Sequence, residues 1–290
     1  MTATAPASAI EGAEVGRTAF RASRSAFGAL LLRDLTVLRK NLNEFIPRTI
    51  IQPLLLVFVF LYVFPQIGQG IGGGRAGGES AFATVLVAGV VGLSIMFQGI
   101  QAVALPMVQE FGYTKEIEDR VLAPLPVSLV AVGKVTAGAV QSMCAAIVVF
   151  PISAVVHARY IHPHLTVHWP ILLTMMPLAC VTAGSLGLML GTRFDPRQVP
   201  NLFGFIVLPM TFLGGTYYAW TTLHPIKLGG FSWLQAFVTL NPLIYINEGF
   251  RAGLTKAPHM HLYVAYPVLI GFASLFMWLG ISGFKRRVLS

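Results

Sequence analysis

Four groups of residues have types and spacings that can do chemistry. Glu248 and Arg251 stand three apart in Asn247-Glu248-Gly249-Phe250-Arg251, so on a helix they face one another and can pair. Gln109 to Arg120 holds six charged residues (Glu110, Lys115, Glu116, Glu118, Asp119 and Arg120) among Phe111, Tyr113 and Ile117. Such a mixture suits a short helix offered to a protein partner, although a charge run of this kind is also what a solvated loop looks like. Gln52, Gln98, Gln101 and Gln141 sit in otherwise apolar runs. Amides there either line a polar path or bond one helix to another. His157, His162, His164 and His168 form the fourth group, with His259 and His261 further on. Zinc would take imidazoles at such spacing, but no cysteine, carboxylate or His-Glu-x-x-His accompanies them, so no metal site is expected.

Equally informative is what is missing. No Gly-x-x-x-x-Gly-Lys-Ser/Thr phosphate loop occurs, so ATP binding of that kind is not expected. Gly68-Gln69-Gly70-Ile71-Gly72-Gly73-Gly74 lacks the flanking strand and helix of a dinucleotide site and reads as a loop. No nucleophile–base pair presents itself, so no catalytic residue and no bound cofactor are expected. Cys144 and Cys180 both lie in apolar runs and read as small buried hydrophobes.

The elements that must position these groups follow from composition. The chain is 55% hydrophobic and only 11% charged, with a mean hydropathy of +0.72. Soluble domains carry roughly 25% charged residues, so lipid is the expected solvent. The net charge of +9 does not point to nucleic acid, because the basic residues are dispersed between long uncharged runs. Those runs are long enough for spanning helices of about 20 residues. They predict an all-α integral membrane protein with six spans, at about 46–64, 82–104, 128–150, 171–192, 201–220 and 262–283. A seventh run, Leu228 to Asn247, is broken by Gly229, Gly230, Asn241 and Pro242. Together with its flanks it predicts a re-entrant hairpin at 221–250, on the outer side between the fifth and sixth spans. Irregular backbone is tolerated at membrane depth only against protein or a water-filled cavity.

Basic residues set the expected orientation. With the N-terminus in the cytoplasm, 14 Lys and Arg fall inside and 5 outside, Lys134 lying near the inner end of the third span. Both termini are therefore expected in the cytoplasm, and Lys134 is expected to snorkel toward the inner headgroups. Residues 1–23 carry no basic start and apolar core of a secretory signal and read as a disordered tail. From 24 to 43, Phe27, Leu31, Leu35, Leu38 and Leu42 share one helical face with Arg33 and Lys40 opposite. This predicts an interface helix in the headgroup plane or a helix packed on a partner protein. Pro124 and Pro126 close the charged loop, 107–126, and return the chain to the membrane.

With these residues in hand, the chain resembles the ABC type-2 transporter permease family. Pro242, Leu243, Tyr245 and Arg251 fit the end of that family's C-terminal pattern. The upstream small-residue part fits loosely around Leu213 to Gly215, where the Thr221–Gly230 loop disturbs the spacing. The six spans, the amphipathic helix and the charged loop ending in Ala-Pro-Leu-Pro extend the resemblance over residues 24–290. Within the family the chain is similar to drug-exporter and nodulation-lipid-exporter types.

The resemblance implies a permease subunit in the plasma (inner) membrane, exporting a drug, glycolipid or lipid-linked saccharide. It implies a separate ATPase subunit carrying ATP and Mg, and a second permease chain. Glu110, Tyr113, Lys115, Glu116, Glu118, Asp119 and Arg120 would then belong to the ATPase-coupling helix. Pro242, Leu243, Tyr245, Glu248 and Arg251 would form the family motif at an outer gate, although a purely structural Glu248–Arg251 pair is equally compatible with the residues. Gln52, Gln98, Gln101, Tyr217 and Tyr218 are the candidates for the path. The alternative, an ion- or proton-coupled secondary transporter, requires intramembrane carboxylates, and none is expected within the six spans.

Overall fold

The computed structural model describes residues 25–67, 78–114, 126–155, 165–195, 198, 203–225 and 232–288. Among them the protein is all-helical, with no strand. A helix over residues 25–40, α1, ends at a turn on Asn41. Next comes α2, Leu42–Phe58, which continues through a π-turn, Val59–Val63, to Gln66. α3 is Gly78–Gln109, closed by a second π-turn, Glu110–Thr114. α4 is Val127–Val155, α5 is Trp169–Arg193, and α6 runs from Phe203 through a π-turn to Leu213. After a single 3-10 turn, Trp220–Leu223, come the short α7, Trp233–Val238, then α8, Pro242–Leu254, and α9, Leu262–Val288.

Five helices are long and apolar enough to cross a membrane: Leu42–Gln66, Ser80–Gly112, Val127–Pro151, Trp169–Arg193 and Leu262–Val288. They match five of the predicted spans, with ends displaced by a few residues. Within the remaining span, expected at 201–220, the described helix stops at Leu213. Gly214 and Gly215 end it, and Gly215 adopts a φ of 69°, a conformation open chiefly to glycine. Apolar and aromatic residues continue to Trp220, so hydropathy alone overstates the helix.

Helix α3 is the axis of the bundle, with 72% of its span buried, against 19% for α2 and 22% for α9. It packs on α4, α5 and α8, while α9 lies along α5. Close approach between α3 and α5 depends on small residues, as is usual where lipid supplies no hydrophobic drive between helices. A Cβ on Gly187 would meet the Ile100 carbonyl at 2.7 Å, and one on Gly99 would meet Ala183 Cβ at 2.5 Å. The main core joins Ile95, Met96 and Ile100 of α3 to Met175 and Ala183 of α5 and to Ile244 and Phe250 of α8.

The bundle has two chemically distinct ends. At the basic end lie Lys40, Arg193 and Lys285 to Arg287, with the end of α3 and the start of α4. At the far end Thr166 and His168 donate backbone N–H groups to the carbonyls of Leu254 and Gly253, tying the start of α5 to the end of α8. With 13 residues, α8 rises about 20 Å, well short of the roughly 30 Å of hydrocarbon. A Cβ on Gly92 would touch Asn247 Oδ1, so α8 meets α3 some 20 Å along from the start of that helix.

Candidate functional site

Every residue of α8 is buried. Its start is specified locally. Asn241 caps it by accepting from the Leu243 N–H at 3.0 Å, and Pro242 takes the first helical position, where a missing N–H costs nothing. The Asn241 amide also donates to the Met210 carbonyl at 2.8 Å, joining this cap to α6. Tyr245 donates its hydroxyl to the Thr239 carbonyl at 2.9 Å.

From this helix three polar side chains collect the backbone groups that the break after α6 leaves free. Asn247 donates to the Gly214 carbonyl at 2.7 Å and to Thr216 Oγ1 at 3.2 Å. Arg251 donates through Nη2 to the carbonyls of Gly215 at 2.8 Å and Tyr218 at 3.2 Å. Through Nη1 it pairs with Glu248 Oε1, both side chains being fully buried. The Glu248 carboxylate also accepts the Trp220 N–H on Oε1 and the Met260 N–H on Oε2, each at 2.7 Å. A buried ion pair is tolerable when further hydrogen bonds support it; here both carboxylate oxygens and both terminal guanidinium nitrogens are bonded, while the buried Arg251 Nε has no partner among the described residues. The expected Glu248–Arg251 pairing is thus present. Three donors (the Arg251 guanidinium and the Trp220 and Met260 N–H groups) fix the position of the Glu248 carboxylate.

At the basic end a second ion pair joins two helices. Glu110, on the π-turn that ends α3, is buried against Lys134 of α4, which is itself only 7% exposed. The expectation that Lys134 snorkels is corrected. A carboxylate lies within reach across the helix interface, and pairing there outweighs extension toward the headgroups. Glu110, expected to face a partner, points into the bundle instead. The neighbouring Phe111 ring packs edge-on against Phe284 of α9 at 5.7 Å, with the Arg287 guanidinium 5.3 Å from its centre. Phe27 of α1 lies at Gly133 of α4, so α1, α3, α4 and α9 converge here. The Tyr113 side chain and residues Lys115, Glu116, Glu118, Asp119 and Arg120 lie outside the described residues, as does the Gln52 side chain.

The remaining path candidates fall in two separate clefts. Gln98 and Gln101 line one of about 190 Å³ between α2 and α3, with Thr49, Pro53, Ser94 and Phe97. The Thr49 hydroxyl reaches Gln98 Oε1 at 3.5 Å. Tyr217 and Tyr218 line the other, about 710 Å³ at the far end, with Ser80, Phe82, Thr84 and Lys256. Between the clefts, Val57 and Leu61 of α2 pack on Ala83, Leu86, Val87 and Val90 of α3. Phe60 reinforces this seal, 5.2 Å from the Tyr217 ring and 6.3 Å from Phe82. Among the described residues no group of three His, Cys, Asp or Glu gathers to hold a metal. His259 contacts the Met260 carbonyl, His261 stacks on Tyr263, and His157, His162 and His164 lie outside the described residues.

Sequence reasoning missed Asn241 and Asn247 as anchors, and Trp220 and Met260 as donors to Glu248. Two asparagines flanking Pro242 in an apolar run were a usable signal, because a buried amide demands partners. Nothing local marks the backbone of Trp220 or Met260.

The comparisons decide which proteins build this arrangement. A family model described as ABC-2 type transporter matches residues 25–255, which include α1, the Glu110–Lys134 junction and all of α8. The chain belongs to the ABC-2 type transporter family. It is 28% identical over 194 residues to the inner membrane transport permease YadH of Escherichia coli K12, covering 66% of this chain and 70% of that one. The same figures hold for the permease of that name from Shigella flexneri. This ABC-2 member is accordingly a multi-helix transporter membrane subunit, and Pro242 to Arg251 lie in its buried helix α8.

Proposed function

We propose that this chain is the permease of an ATP-driven exporter in the inner membrane, working with a second permease chain and a separate ATPase subunit that carries ATP and Mg. The observation that carries this reading is the pair of clefts on the α2 side of α3. One, nearer the basic end, mixes amides and hydroxyls with apolar walls, the other opens at the far end, and an apolar and aromatic seal divides them. In an ABC-2 member this is the arrangement of a path closed at its middle. A cleft bearing both amides and apolar walls suits an amphipathic cargo such as a drug, a glycolipid or a lipid-linked saccharide.

In this reading the span expected at 201–220 is a sixth crossing, α1 lies in the cytoplasmic headgroup plane, and both termini are cytoplasmic. α7 and α8 form the re-entrant outer hairpin, their backbone satisfied by Asn241, Asn247, Glu248 and Arg251. The loop from Glu110 to Arg120 is the coupling segment. Tyr113, Lys115, Glu116, Glu118, Asp119 and Arg120 reach the ATPase, while Glu110 anchors the segment to α4. ATPase closure would then move the seal through α3.

Affinity purification of the full chain in mild detergent tests the proposal. Recovery of a phosphate-loop ATPase is expected, and the Glu116→Lys/Glu118→Lys variant should insert normally yet lose that ATPase. An ATPase-free chain that transports on an ion gradient would overturn the reading. Undiminished association in the variant would overturn the coupling assignment.

A further inference from the structure

A pocket of about 570 Å³ opens at the basic end between the last turns of α5 and α9, away from both clefts and from α8. Thr192, Arg193, Ser282, Gly283, Arg286 and Arg287 line it. Small residues let the two helices close behind it, since a Cβ on Gly283 would meet Thr192 Oγ1 at 2.8 Å. Arg287 forms the fixed wall. Its guanidinium donates to the carbonyls of Phe194 and, at 3.4 Å, Gly191, the last acceptors of α5. Arg193 and Arg286 differ: both are exposed, and neither has a hydrogen-bond or ion-pair partner among the described residues. Among the described residues, Asp195 is a nearby acidic group, exposed two residues beyond Arg193.

Two guanidinium groups, those of Arg193 and Arg286, facing one pocket repel one another unless an anion sits between them. Arginine is also the cation whose planar fork matches a phosphate best.

The outward face of α9 says where that anion comes from. Leu275, Trp278, Ser282 and Arg286 follow at steps of three and four and so share one stripe. Leu275 is 46% and Trp278 67% exposed, on a helix of membrane-spanning length, so both face lipid. Ser282 lies about 6 Å and Arg286 about 12 Å beyond Trp278 along the axis. Aliphatic, then indole, then hydroxyl, then guanidinium is the order of chemistry met in leaving the hydrocarbon for the headgroups. We propose that this pocket binds the phosphate headgroup of an anionic phospholipid, held by Arg193 and Arg286 against the Arg287 wall. The ligand shares its phosphate with free inorganic phosphate but is anchored by acyl chains lying along Leu275 and Trp278. Basic pockets between spanning helices are recognised sites for such headgroups. The proposal does not depend on ATP-driven transport.

The test uses the full chain in nonionic detergent, with bound lipid counted by native mass spectrometry during titration with dioleoylphosphatidylglycerol. Arg193→Gln/Arg286→Gln leaves Arg287 and the helix contacts intact. It should weaken binding roughly twenty- to thirty-fold, as expected for two lost cationic contacts at a membrane surface. Lys40→Gln, an exposed charge on α1 outside this pocket and both clefts, should leave binding unchanged. Equal binding by the double variant and the unmodified chain would overturn the proposal. So would inorganic phosphate displacing the lipid at equal concentration, which would make the pocket a free-phosphate site. Loss of the co-purifying ATPase with lipid binding unchanged would assign the arginines to a protein partner and equally overturn it.

Discussion

Two buried ion pairs occupy opposite halves of this bundle, and they are built differently. Glu248 and Arg251 lie on one helix and also bind backbone: two N–H groups on the carboxylate and two carbonyls on the guanidinium. Glu110 and Lys134 lie on different helices and meet side chain to side chain, one on a π-turn. Such turns interrupt a helix and concentrate at functional sites. The first pair replaces secondary structure that the break after α6 removed, so it has no substitute. The second is a clasp between α3 and α4, which apolar side chains can imitate. In one protein, then, the same chemistry serves as scaffold at the far end and as joint at the basic end.

Breaking the scaffold should have the largest effect. Arg251→Leu strands the Glu248 carboxylate and two carbonyls, and about 3–5 kcal/mol of stability should be lost. We expect no monodisperse protein on size-exclusion chromatography, and the double variant Glu248→Leu/Arg251→Leu should not rescue it. Rescue would mean that the backbone contacts contribute little. Lys134→Met, which removes the ammonium from the buried Glu110 carboxylate, should cost about 3 kcal/mol, read as a lower detergent melting temperature. Asn247→Ala orphans the Gly214 carbonyl and should cost about 1–3 kcal/mol in the same assay. Gly92→Ala forces a methyl onto an Asn247 amide already pinned at Gly214, for about 1–3 kcal/mol. A neutral result there would show that Asn247 is free to move. The smallest change should come from Glu110→Leu/Lys134→Met, within about 1 kcal/mol of the unmodified chain, because removing both members of a buried pair is often neutral. If that double variant is as unstable as Lys134→Met, the two pairs are alike and the contrast fails.

Much of this was legible in the sequence where the information is local. Five long helices emerge from charge-free runs bounded by charged residues, because lipid imposes that pattern on consecutive residues. The i, i+3 relation of Glu248 and Arg251 predicts their pairing, and Pro242 marks a helix start. The rest depends on contacts far apart in the chain. Glu110 and Lys134 are 24 residues apart on antiparallel neighbours, so the lysine's fate turns on helix rotation that hydropathy does not report. Trp220 contributes to the site through its backbone, 28 residues before Glu248, where side-chain type carries no signal. The early end of α6 was written in Gly214-Gly215 but masked by the aromatic run to Trp220. Gln98 and Tyr217 each lie beside a cleft, yet which amides and rings share one was invisible without the packing of α2 on α3.

The central claim is that a separate ATPase drives this permease through the basic-end junction while the α8 scaffold stays fixed. Hydrogen–deuterium exchange on the purified complex, with and without ATP and orthovanadate, tests it directly. The account predicts nucleotide-dependent changes in protection over residues 107–114 and 127–135, and none over 242–254. Unchanged exchange at the junction, or a change confined to 242–254, would contradict it.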